Sequence, residues 1–285
     1  MSTHVPRKRF GQHFLVQPAI AERIVSLAEL TGEEVVLEIG PGRGALTRLL
    51  AARSRRLLLV EVDRDLAAAL RAEFAAAPGV EVHEADVLRL ELASWLGAAA
   101  PLVAVANLPY NISTPVLMQL LGAPALFSRL VLMLQREVAE RLCAAPGSKA
   151  YGALSVVVQA AADVRVALHV PATAFAPRPQ VESAVVVVRP HQPPLRSAAQ
   201  QRELRAVVRC AFSRRRKQLA NALAPLTADP HELLQQLGFD PRRRPETLAP
   251  ADFMRLADAL QGDARRRRPH APDEPSSADP PSTRR

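Results

Sequence analysis

Short apolar runs alternate with longer amphipathic stretches from Glu34 to Leu134, and this alternation restricts the fold more than any other feature of the chain. The runs Val35–Ile39, Leu57–Val60, Leu102–Ala106 and Leu130–Leu134 are too short for helices and rich in valine, leucine and alanine, and a further strand is expected near Val80–His83. The four apolar runs read as buried strands. Between them lie stretches of helical spacing over 45–53, 65–75 and 113–121, preceded by a helix from Pro18 to about Leu30 and followed by one beginning near Arg136. A strand-then-helix rhythm predicts an α/β fold, a Rossmann-like parallel sheet with helices on both faces. Two further strands are expected near Val164–Val170 and Ala184–Arg189. The segment Gly152–Ala162 reads either way: its β-branched run suggests a strand, its length and alanines a helix.

Open sheets of this kind place their chemistry beyond the C-terminal ends of the strands. The first strand feeds Gly40-Pro-Gly-Arg-Gly44, where glycine removes the Cβ that would keep a ligand from the backbone. This is neither the G-x-G-x-x-G dinucleotide pattern, since the third glycine comes one residue early, nor a P-loop. The second strand ends at Glu61, which can accept both hydroxyls of a ribose, whether of NAD or of S-adenosylmethionine. Asp63 and Asp65 fit the capping of the next helix better than Glu61 does. The third strand ends near Asp86, an acceptor for an adenine amino group. The fourth ends at Asn107-Leu-Pro-Tyr110: the Asn107 amide can accept a hydrogen bond, Pro109 stiffens the turn, and Tyr110 offers a flat ring for a planar base. Together these suit an exocyclic amine on a nucleobase. A plainer reading makes the stretch a strand, a proline turn and a helix capped by Ser113 or Thr114 ahead of Pro115. Phe175, between prolines, is either a packing anchor or a ring closing the second face of a flipped base.

The chain divides by composition into a basic arm (1–17), the α/β domain (18–190), a linker (191–200) marked by Pro190-His-Gln-Pro-Pro194, a small all-α domain (201–261) and an Arg/Pro-rich tail (262–285) expected to be disordered. A formal charge of +9 favours a polyanionic partner. The basic residues cluster at Arg7, Lys8 and Arg9, at Arg214, Arg215, Arg216 and Lys217, and at Arg242–Arg244, which points to a nucleic-acid groove rather than to solvated helix faces. No apolar run reaches the roughly 20 residues of a membrane span. The N-terminus has no signal-peptide core, and the two cysteines support neither disulfides nor a metal site. The expectation is a soluble, cytoplasmic monomer without a metal.

The segments Arg7–Leu15, Glu38–Gly42, Glu61–Asp63, Ala85–Val87, Asn107–Pro115, Gln135–Arg141, Phe175–Pro179 with Val181–Ser183, and Ala211–Lys217 resemble one family, the ribosomal-RNA adenine N6-dimethyltransferases of the KsgA type, a group that also includes the Erm-type resistance enzymes. The resemblance covers about residues 7 to 261. It implies a class I S-adenosylmethionine-dependent methyltransferase domain, a C-terminal helical RNA-binding domain, and dimethylation of two adjacent adenosines near the 3′ end of small-subunit (16S) rRNA on the immature 30S subunit. It further implies that His13, Leu15, Gly40, Glu61, Asp86 and Asn107 bind the cofactor, that Asn107, Leu108, Pro109 and Tyr110 belong to the reaction site, and that Phe175 packs against the target base. His13 stands where some relatives have asparagine, a change that a backbone contact tolerates. An Erm-type enzyme acting on large-subunit rRNA ranks second, because Gln135–Arg141 and Phe212-Ser-Arg-Arg-Arg-Lys-Gln-Leu219 look like the KsgA branch. An RNA-binding assembly factor with little turnover is the reading from another class.

Overall fold

The computed structural model describes residues 12–99, 101–213 and 218–267. In chain order its elements are β1 (Phe14–Leu15), α1 (Pro18–Ser26), β2 (Val35–Ile39), α2 (Thr47–Ala51), β3 (Arg56–Glu61), α3 (Arg64–Glu73), β4 (Val80–Glu84), α4 (Leu92–Leu96), β5 (Leu102–Asn107), α5 (Ser113–Gly122), β6 (Phe127–Gln135), α6 (Arg136–Leu142), α7 (Ala153–Gln159), β7 (Ala162–Val170), β8 (Phe175–Ala176), β9 (Ser183–Pro190), α8 (Ala198–Ala211), α9 (Leu219–Leu223), α10 (Pro230–Gln236) and α11 (Pro250–Arg267). The main sheet has the order β4-β3-β2-β5-β6-β9-β7, with β2 to β6 parallel and β9 antiparallel to both of its neighbours.

The alternation of side chains along a strand explains how the sheet is covered. Val36, Leu57, Leu59, Val103 and Val105 pack toward Ile24 and Val25 of α1 and Leu50 of α2. Their neighbours Leu37, Leu58, Val60, Ala104 and Ala106 pack toward Val116, Leu117 and Leu120 of α5. Each fully buried leucine or valine is worth about 1.5–3 kcal/mol, so both helix layers are held by the sheet they cover. The strand order reverses where β2 meets β5, and a crevice opens beyond the C-terminal ends of these strands.

A third cluster joins α8 to α11 through Leu204, Val208, Leu223, Leu234 and Phe253, and takes in Tyr151, Val156 and Ala160 from around α7. The segment that reads either way is therefore a helix. Val156 faces this cluster and Val158 the sheet's core, so the β-branched run is apolar on both sides because the helix lies between two cores. The Tyr151 hydroxyl donates to the Leu248 carbonyl at 2.8 Å, a second tie between the two units.

Several boundaries differ from the sequence reading. Helix α8 starts inside the expected linker because Ser197 and Gln200 form a reciprocal capping box. Helix α11 runs on to Arg267 instead of ending at Leu260. Ser113 is not the cap of α5: Ile112 holds that position, and the Ser113 hydroxyl donates to the Tyr110 carbonyl at 3.1 Å. The basic residues Arg7, Lys8, Arg9, Arg214, Arg215, Arg216 and Lys217, and tail residues 268–285, lie outside the described residues. Among the described residues no helix is long and apolar enough to cross a membrane.

Candidate active site

Register brings the strand ends together. Ile39 lies beside both Val60 and Ala106, so the chain leaves β2 flanked by Glu61 and Asn107. Glu61 pairs with Glu84, two residues ahead of Asp86. Gly40 donates its N–H to the Val60 carbonyl at 2.9 Å, and a Cβ there would sit 4.0 Å from the Asn107 carbonyl. Gly42 has φ +58, and a Cβ on it would meet the Phe14 ring at 3.1 Å. The glycine turn is therefore closed to larger residues both by its backbone and by the arm lying over it. The Glu61 carboxylate accepts from the Gly42 N–H at 3.0 Å and from the Asp63 N–H at 2.9 Å, which ties the turn to the next strand end. Asp63 caps α3, as its sequence position suggests. Asp86 accepts from the Leu88 N–H at 3.0 Å and lies 3.6 Å from the Arg89 guanidinium.

These ends line a cleft of about 280 Å³. His13, Leu15, Gly40, Glu61, Asp86 and Asn107 all face it, together with Leu108, Pro109 and Tyr110. A glycine cradle, two carboxylates and an apolar wall that includes Val87, Leu88 and Ile112 fit an adenosine-bearing cofactor.

Asn107 is aimed by the arm. Its Nδ2 donates to the His13 carbonyl at 3.2 Å. A carbonyl only accepts, so the amide nitrogen must face it, and Oδ1 is left as the acceptor on the other side of the amide plane. The same residue supports Tyr110: the His13 ring stacks on the tyrosine with centroids 5.6 Å apart and planes at 27°. At its far end the Tyr110 hydroxyl lies 2.8 Å from the Ser183 hydroxyl. Two contacts and the Ser113 bond to its carbonyl thus hold the ring at the mouth of the cleft.

Phe175 does not line this cleft. It is 5 % exposed and belongs to the core cluster with Leu15, Ile24 and Leu168. The reason is a two-stranded ribbon in which β1 pairs with β8, setting Leu15 opposite Phe175. Val16 N–H donating to the Ala174 carbonyl at 2.9 Å extends it. In this geometry the ring anchors the arm, the packing alternative, and the base-facing role is not met.

The sequence reading missed Gln12, Phe14, Arg43 and Glu38, all of which border the cleft. The Arg43 guanidinium sits 4.5 Å over the Phe14 ring, so the glycine turn and the arm clasp each other. Glu38 is 2 % exposed, and one of its oxygens is buried without a hydrogen-bond partner. A glutamate inside an otherwise apolar strand was the available signal. Burial, only partly offset by the Thr47 hydroxyl, pushes its carboxyl from 4.5 up to about 8. Between those values the folded chain holds a proton that the unfolded chain has released. Stability from this group is therefore complete below pH 4.5 and falls as pH rises toward 8. Glu38→Gln should flatten that slope in unfolding measured from pH 5 to 8; an unchanged slope would show that Glu38 is not its source.

Comparison with known proteins gives a consistent result. A family model described as ribosomal RNA adenine dimethylase matches residues 3–262. The chain is 46% identical over 256 residues to a protein of Magnetococcus marinus named ribosomal RNA small subunit methyltransferase A, covering 89% of this chain and 91% of that one. It is 44% identical over 257 residues to a protein of the same name from Marinobacter nauticus, covering 90% and 92%. Among solved structures, a dimethyladenosine transferase from Plasmodium falciparum superposes with a TM-score of 0.77 at 26% identity, covering 88% of this chain and 98% of that one. The 23S rRNA methyltransferase ErmE superposes with a TM-score of 0.66 at 27% identity, covering 87% and 99%.

Proposed function

Because the chain belongs to the ribosomal RNA adenine dimethylase family, we propose that it dimethylates N6 of two adjacent adenosines near the 3′ end of small-subunit rRNA, using S-adenosylmethionine. The observation that carries this reading is the Asn107 amide, turned by the His13 carbonyl so that its oxygen is free to accept from an amine. The higher-identity relatives bear the small-subunit name, which favours this substrate over large-subunit rRNA.

Bound S-adenosylmethionine supplies a methyl group already activated by its sulfonium. The N6 lone pair is delocalised into the adenine ring, so the protein's task is to orient the amine rather than to deprotonate it first. Asn107 Oδ1 and the Leu108 carbonyl accept the two N6 hydrogens, which turns the lone pair out of conjugation and toward the methyl. Pro109 holds the turn that keeps these acceptors adjacent. Tyr110 stacks on the base, which must be extruded or already unpaired. On the cofactor side, Glu61 would hold the ribose hydroxyls, Asp86 the adenine amine, and the backbone of His13, Leu15 and Gly40 would wall the remainder. The clusters Arg7, Lys8, Arg9 and Arg214 to Lys217 supply the phosphate contacts of an immature 30S substrate. The protein acts as a cytoplasmic monomer.

Tyr110→Ala should slow methylation tens-fold, since a base stack is worth about 1–3 kcal/mol, whereas Tyr110→Phe loses only the Ser183 contact and should stay within a few-fold. Equal losses in the two variants would assign the effect to the hydroxyl instead. The deciding experiment incubates the protein and S-adenosylmethionine with immature small subunits and maps modified nucleotides by mass spectrometry. Dimethyladenosine near the 3′ end of 16S rRNA is expected. Product in 23S rRNA would move the substrate to the large subunit, and bound cofactor with no product would favour an assembly factor.

A further inference from the structure

An open groove of about 460 Å³ lies away from the cleft, between α5, α7 and α8. Its floor is apolar, formed by Met118, Leu154, Val157 and Phe212, and among the described residues no acidic side chain lines it. Arg205 and Arg209, one helical turn apart on α8, stand on its border. Arg205 is half-buried, and its Nε is buried without a hydrogen-bond partner. Desolvation alone lowers its guanidinium below the ordinary value, with no carboxylate acting in the other direction. A half-buried cation with one N–H buried and without an acceptor is costly, and it is a reason to look for an anion that binds there.

Two connections point to what that anion belongs to. Met118 is on α5, about 7.5 Å along the axis from Ser113, and the residues just before that helix, Tyr110 to Ile112, line the reaction cleft. At the other end the groove stops at Ser213, directly ahead of Arg214-Arg-Arg-Lys217 in the sequence. Apolar floor, two bordering arginines and a basic continuation complement a single-stranded nucleic acid, whose bases offer flat apolar faces and whose phosphates are spaced along the chain. A protein partner would need to bring its own acid to Arg205, and nothing else in the groove selects for one.

We propose that this groove is a second nucleotide site: it receives an unpaired base of the substrate RNA on Met118, Val157 and Phe212, with the adjoining phosphates on Arg205 and Arg209. The site rests on the rRNA reading above and adds a contact that holds the RNA beside the cleft without touching the reacting amine. Its consequence is an affinity term separable from cofactor binding.

Two variants test it in the full-length protein. Arg205→Gln/Arg209→Gln removes both cations, and Ala153→Trp fills the groove while leaving both in place. Each should keep the wild-type melting temperature and S-adenosylmethionine affinity by calorimetry. Each should weaken binding to immature small subunits about tenfold or more. In the double variant the slope of log K against log salt should also become shallower by about 1.4, the value for two lost single-strand phosphate contacts, and it should be unchanged in Ala153→Trp. Short-range photocrosslinking with 4-thiouridine-substituted rRNA should label α8 in the wild type and not in Ala153→Trp. Wild-type affinity and salt slope in both variants would overturn the proposal while leaving the methylation reading intact. A protein dimer lost on Ala153→Trp, with RNA affinity unaffected, would assign the groove to a second copy and overturn it as well. Failure of the wild type to bind or methylate any rRNA would bring down the underlying reading itself.

Discussion

Asn107→Ala is expected to lower the methylation rate by about two to three orders of magnitude, a loss like that seen when one group stabilising a transition state is removed. In the proposed mechanism the amide acts on the reacting nitrogen itself. Its Nδ2 bond to the His13 carbonyl orients Oδ1, so the variant loses both the acceptor and the tie to the arm. Asn107→Asp separates the two effects. It keeps an acceptor but presents a carboxylate to the His13 carbonyl, two acceptors facing each other, and should lie well below wild type. Single-turnover rates at saturating S-adenosylmethionine, with cofactor affinity measured in parallel, check this. Near-wild-type turnover in Asn107→Ala with cofactor bound would remove the amide from the mechanism.

Glu61→Ala is expected to weaken S-adenosylmethionine binding about a hundredfold or more. Hydrogen bonds to a charged group contribute about 1.5–3 kcal/mol each, and the proposed role gives this carboxylate two ribose hydroxyls. It also accepts from the Gly42 and Asp63 N–H groups, so alanine leaves two backbone donors at the strand end without their acceptor. Glu61→Gln keeps one acceptor oxygen and should fall between alanine and wild type. Burial raises the Glu61 pKa, which makes cofactor affinity fall on acidification earlier than an exposed glutamate would allow. Titration calorimetry across pH reads both effects. Unaltered affinity in Glu61→Ala would move the ribose elsewhere in the cleft.

Much of this site was legible because a parallel sheet converts one-dimensional order into spatial convergence. Gly40, Glu61, Asp86 and Asn107 each follow a short apolar run, and strands in register must deliver their ends to one edge. Phe175 was misplaced for a complementary reason. It lies between Pro171 and Pro177 in the sequence, but its position is decided by pairing with Leu15, 160 residues earlier in the chain, through a ribbon too short to show a period. Glu38 went unnoticed because the five-residue run around it reads as apolar, and its burial follows only from helix packing over that face. The β-branched run of α7 likewise read as strand or helix until two cores were seen to enclose it.

Periodicity, glycine placement and the polar residue closing each apolar run belong to the sequence alone, since local sterics and the alternation of side chains follow from residue order. They determined the sheet, its helices and four of the groups at its edge. The tertiary structure decided which face of the Asn107 amide is open, which aromatic ring reaches the cleft, and where an arginine is left without a counter-charge. Each of these depends on contacts between residues far apart in the chain, and no local pattern encodes them.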